Sequence, residues 1–202
     1  MKQLKTYTII GILFVIITGT LAHFFYDWSG NSRIVGFVTP INESVWEHAK
    51  LLFFPMLLYT LFMICRLREE YPCITSSLLF GLLAGTLLIP VLYYAYTAVL
   101  GKNLLFLDIG IFLLSVLAAF RLSYEFTLSC RLKPITRLLG TIVFLLLVCF
   151  LLFTYNPPSS RIFEIPSPAQ TKTACLHSPV YSCFPAPGTD CPHGHMQSCV
   201  FS

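Results

Sequence analysis

The chain has 202 residues, of which 56% are hydrophobic and only 11% charged, and its formal net charge is +4. A water-soluble domain carries about 25% charged residues, so this composition, with a mean hydropathy of +0.76, excludes an ordinary soluble fold and calls for a bilayer as solvent. The basic residues lie between apolar runs rather than in one patch, which gives nucleic-acid binding no support.

A spanning helix needs ~20 apolar residues, and five stretches qualify. They are Tyr7 to Tyr26, Pro40 to Cys65, Ile74 to Leu100, Asn103 to Arg121, and Leu138 to Tyr155. The expected fold is therefore all-α, an integral membrane helix bundle of about five transmembrane helices over residues 1–156. Asn156-Pro157-Pro158 stops the last helix, because proline has no N–H to donate. Pro55 and Pro90 fall inside the second and third stretches. Each should free a carbonyl one turn back, of Leu51 and Thr86, and kink its helix.

Lys and Arg placement sets an expected orientation. Eight basic residues (Lys2, Lys5, Arg66, Arg68, Arg121, Arg131, Lys133, Arg137) fall on one side, against Arg33, Lys102, Arg161 and Lys172 on the other. This puts the N-terminus in the cytoplasm and the C-terminus outside, in a cell membrane. A rival reading takes Lys2, Lys5 and Thr20-Leu21-Ala22 for a cleavable signal over residues 1–22. The apolar run continues through Phe24, Phe25 and Tyr26, which speaks against cleavage.

Residues 157–202 change character, being rich in Pro, Ser, Cys and His. Cys175, Cys183, Cys191 and Cys199 are evenly spaced, with His177, His193 and His195 among them. Outside the cell four cysteines allow two disulfides. A zinc site lacks the usual Cys-x-x-Cys step. The expectation is a disordered or disulfide-linked extracytoplasmic tail. Its abrupt change of composition also fits an extension foreign to the fold, and the bundle is expected to fold without the residues after Pro166.

Charge inside the apolar stretches is the functional signal, since a buried charge costs ~2.5–3.5 kcal/mol on insertion scales. The purely apolar part of the second stretch is only Leu51 to Cys65, so Glu47, His48 and Lys50 enter the low-dielectric region with Glu43 at its edge. Helical spacing puts Glu43, Glu47 and Lys50 on one face, and Ser44 and His48 on the next. His23 and Asp27 lie four apart near the same end of the first stretch. Asp108 lies one turn inside the fourth, and Tyr93, Tyr94 and Tyr96 end the third. All map to one leaflet.

An ordinary reading makes this cluster structural. Thr39-Pro40 reads as an N-cap and first turn. Glu43 and Glu47 suit a helix N-terminus, Glu47 and Lys50 pair, and the aromatics form an interfacial belt. A functional reading notes that two carboxylates one turn apart need a shared proton, a lysine or a cation. His23, His48 and Asp108 are then candidate ligands for a divalent metal such as zinc, and Asp27, Glu43, Glu47 and Lys50 the ligand-binding set. The leading expectation is a small non-enzymatic membrane protein whose outer-leaflet polar pocket binds a cation, proton or small polar ligand. The first alternative, a metal-dependent intramembrane hydrolase, would use Glu47 as general base. A structural or partner-binding membrane protein without ligand is the third possibility. No Gly-x-Ser-x-Gly elbow, phosphate-binding glycine loop or His-Glu-x-x-His helix occurs.

The run Asn42-Glu43-Ser44-Val45-Trp46-Glu47-His48-Ala49-Lys50, followed by Leu51-Leu52-Phe53-Phe54-Pro55, resembles a family of uncharacterised bacterial multi-pass membrane proteins, a domain of unknown function. His23-Phe24-Phe25-Tyr26-Asp27-Trp28-Ser29-Gly30 and Phe153-Thr154-Tyr155-Asn156-Pro157-Pro158 fit the same resemblance, which covers roughly residues 5–166. It implies a bacterial cytoplasmic-membrane protein and brings no known activity. The tail after Pro166 does not share the likeness.

Overall fold

The computed structural model describes residues 2–164. Five of its helices are long and apolar enough to cross a membrane. In chain order the helices are α1 (Lys2–Trp28), a single-turn α2 (Arg33–Gly36), α3 (Val45–Leu67), α4 (Ile74–Leu100), α5 (Leu105–Ser129) and α6 (Thr136–Phe153). Short 3-10 turns at Lys133–Ile135 and Arg161–Phe163 flank the last helix. The tail cysteines and histidines lie outside the described residues. α1 runs as one helix through Thr20-Leu21-Ala22.

The bundle is apolar outside as well as inside. Ile9, Leu13 and Ile17 on α1, and Phe144 and Leu145 on α6, are exposed. These positions suit acyl chains, not water. Packing between helices therefore depends on close approach and small residues rather than on hydrophobic transfer. α4 and α5, which share the most extensive contact, show this directly. A Cβ added at Gly81 would collide with the Ala119 carbonyl oxygen and Ser123 Oγ, and one at Gly85 would press on the Ala119 side chain at 2.6 Å. Two buried hydroxyls along the seam return to their own helix, whereas Ser115 Oγ, also buried, has no partner among the described residues. Ser123 Oγ donates to the Ala119 carbonyl at 2.8 Å and Thr127 Oγ1 to the Ser123 carbonyl at 2.7 Å.

Gly81→Ala should accordingly cost about 1–3 kcal/mol relative to Gly140→Ala, because overpacking at Gly81 meets a backbone atom. The added Cβ at Gly140 would meet only Leu79, at 3.9 Å. Thermal unfolding in detergent checks it. Equal melting of the two variants would show that the α4–α5 seam can relax.

Both internal prolines are carried within continuous helices. Pro55 leaves the Leu51 carbonyl without its usual N–H partner. That oxygen faces Gly19 of α1, where a Cβ would lie 2.5 Å from it. The missing side chain thus admits α1 against the opened turn.

α3 begins later than expected. Thr39-Pro40 does not cap it. Ser44 is the N-cap, and its Oγ accepts the Glu47 N–H at 3.4 Å. Asn42 Oδ1 accepts the Ser44 N–H at 2.9 Å, a local turn that competes with helix and delays its start. α5 also runs eight residues past its expected end at Arg121, to Ser129.

A disulfide joins Cys73, just before α4, to Cys130, just after α5. It staples the two helices with the largest mutual interface at the end where α3 and α5 finish.

Candidate functional site

The polar residues of the α1, α3 and α5 stretches separate into three groups. The first is closed. Glu47 and Lys50 are buried, at 2% and 0% exposure. Lys50 Nζ donates to Glu47 Oε2 at 2.7 Å, to Thr154 Oγ1 at 2.7 Å and to the Gly36 carbonyl at 3.3 Å. An ammonium has three donors, and all three are matched. Glu47 Oε2 also accepts the Ile41 N–H at 3.0 Å. Thr154 passes its own proton to the Phe150 carbonyl at 2.6 Å. One ion pair thereby ties α3 to the α2–α3 connection and to the end of α6. Beside it, Trp46 packs on Phe150, with ring centroids 4.5 Å apart, and on Phe163 at 5.0 Å.

The second group is open. Because α3 starts at Val45, Glu43 is not on the helix face of Glu47. It turns instead toward two imidazoles. His48 Nε2 lies 3.3 Å from Glu43 Oε2, and His23 Nε2 lies 3.7 Å from Glu43 Oε1. The rings are 5.5 Å apart between centroids. The Glu43 side chain is 63% exposed, so the group is reached from outside the bundle.

The proton positions follow from the partners. His48 Nδ1 is 3.0 Å from the Ser44 carbonyl oxygen. A carbonyl only accepts, so Nδ1 carries the hydrogen. A neutral His48 then aims the Nε2 lone pair at a carboxylate oxygen, acceptor against acceptor. The contact is favourable with a proton between them, on Nε2 or on the carboxyl, or with a bound cation. His23 Nδ1 is buried with no partner among the described residues, so the second imidazole is not fixed by a hydrogen bond in the same way.

The third group is Asp108. The Tyr96 hydroxyl donates to its Oδ1 at 2.5 Å and sits 2.8 Å from Asn103 Oδ1, closing the α4–α5 connection. Neither histidine is in ion-pair contact with Asp108. Asp27 is exposed and its carboxylate has no partner among the described residues. The expected metal set of His23, His48 and Asp108 is thus not assembled as one cluster. No group of three or more His, Cys, Asp and Glu side chains among the described residues is arranged to hold a metal. Sequence reasoning missed Thr154, Gly36 and Ile41. Thr154 is 104 residues from Lys50, and no spacing rule connects them.

A bundle of five membrane-length helices with a buried ion pair and an open His–Glu–His group defines a polytopic membrane protein. A family model described as "Family of unknown function (DUF6512)" matches residues 1–167, and the chain belongs to that family. No curated protein and no solved structure matches it.

Proposed function

We propose that the protein is a non-enzymatic membrane protein that holds a small cation, a proton or a divalent transition-metal ion, among His48, Glu43 and His23. The carrying observation is the Ser44 carbonyl on His48 Nδ1, which leaves Nε2 facing a carboxylate oxygen at 3.3 Å. A backbone carbonyl on the far nitrogen of an imidazole is also the usual support of a metal-ligating histidine. Two imidazole nitrogens and a carboxylate are the donor types zinc or a similar ion takes, but as placed they do not form a metal-holding group, so a metal would have to draw the three side chains together. The hydrolase reading needs Glu47 as a base, yet that carboxylate is bonded to Lys50 and the Ile41 amide. The proposal gives Glu47 and Lys50 a structural role.

Glu43→Gln keeps the shape and removes the charge. With the purified full chain stripped by chelator, zinc titration should show one site weakened at least about tenfold in the variant. If the cation is the proton, zinc uptake will match and the two imidazoles will titrate differently, read by NMR. The tail has its own histidines and cysteines, so the difference between the two proteins is the readout. Identical zinc uptake together with identical imidazole titration would sink the proposal.

A further inference from the structure

A second feature lies at the opposite end of the bundle. α1 and α5 run antiparallel, with Gly19 against the Phe112 ring and Gly11 against the Phe120 ring. Along this seam an open groove of about 510 Å³ reaches from Lys5 on α1 to Leu114 on α5. Ile9, Ile12, Leu114 and Leu117 form its walls, and three of them, Ile9, Leu114 and Leu117, are strongly exposed. In a bilayer such walls meet acyl chains.

The groove changes chemistry along its length. Lys5, Arg121 and Tyr124 line it at the end nearest the start of α1. Leu114 lies seven residues from Arg121, about 10 Å further along α5 at 1.5 Å per residue. Cationic donors thus sit at headgroup level and apolar walls at acyl level. Lys5 has no carboxylate partner among the described residues. Arg121 gives its Nε hydrogen to Glu125 Oε1 at 2.6 Å, which leaves the two terminal amino groups of the guanidinium free to donate. The Tyr124 hydroxyl has no hydrogen-bond partner among the described residues.

We propose that this groove is a binding site for an anionic phospholipid, its phosphate held by Lys5 and Arg121 and one acyl chain laid between α1 and α5. The charge pattern selects the class of lipid. A zwitterionic lipid brings its own ammonium against Lys5 and Arg121, which is a like-charge contact. A free anion leaves the apolar walls unmatched. Basic pockets between membrane helices hold acidic headgroups by the same physics.

The test uses the full chain in lipid nanodiscs or mild detergent, with bound lipid counted by native mass spectrometry. The probes are phosphatidylglycerol and phosphatidylcholine. The wild type should retain phosphatidylglycerol preferentially. Lys5→Gln should lower that preference about fivefold, the effect of one basic residue at an anionic surface. Glu125→Gln should raise it, because a competing carboxylate is removed while the groove is left intact. Arg137→Gln, with the basic residues of the same end but outside the groove, should change nothing. Equal retention of the two lipids by the wild type would overturn the proposal. So would a loss in Arg137→Gln equal to that in Lys5→Gln, since general surface charge would then suffice. A Glu125→Gln variant with unchanged preference would overturn it as well.

Discussion

Lys50→Met should be the most damaging single substitution, costing about 3–5 kcal/mol of stability. Methionine matches the length of the lysine stem, so packing changes little. What changes is Glu47, left with its charge at 2% exposure and only the Ile41 amide as partner. Thr154 and the Gly36 carbonyl lose a donor at the same time. The double variant Glu47→Leu, Lys50→Met removes both charges and should recover most of the loss, because a buried pair is often replaceable by apolar residues of similar volume. Thermal unfolding of the three proteins in detergent measures it. A Lys50→Met protein that melts with the wild type would mean that water reaches the pair.

Loss of the Cys73–Cys130 staple should have the second largest effect. The bond closes a separation of 57 residues, for which loop-entropy arguments give up to about 4 kcal/mol. That figure is an upper bound, since spanning helices stay inserted and hydrogen-bonded when tertiary contacts are lost. Reductant should lower the melting temperature of the wild type and leave Cys130→Ser, already lowered, where it is. A wild type indifferent to reductant would remove the staple from the energetics.

The helices were legible because lipid demands a signal that needs no tertiary information, a run of ~20 apolar residues. The polar residues of the candidate site could be picked out from the sequence, but not how they group. His23, Glu43, Glu47, His48 and Lys50 all stand out as polar groups in apolar surroundings. Their partition turned on where α3 starts. A helix from Pro40 would align Glu43 with Glu47 and Lys50. The Asn42 turn delays it to Val45, and Glu43 swings to the imidazoles instead. The string around Asn42 reads in the structure as one local unit: Asn42 makes the turn, Ser44 the cap, Trp46 the contact with α6, and Glu47 with Lys50 the lock. Cys73 with Cys130 and Lys50 with Thr154 were out of reach, because each pair is joined only by the fold.

The disulfide also sits on the wrong side of an argument about charge. Arg66, Arg68, Arg131 and Lys133 surround it in sequence, and by the positive-inside rule that bias would turn their end of the bundle toward the cytoplasm. Cytoplasmic thiols are kept reduced. The two rules pull one pair of sulfur atoms in opposite directions, which makes those atoms a gauge of compartment. Thiols trapped in intact cells before lysis record it. Two free sulfhydryls at Cys73 and Cys130 put the His23, Glu43 and His48 group in contact with the outside world. An intact bond turns the molecule over and offers the same three side chains to the cell's own interior. If the group holds a cation as proposed, the compartment that supplies it is written at the end of the bundle farthest from the site.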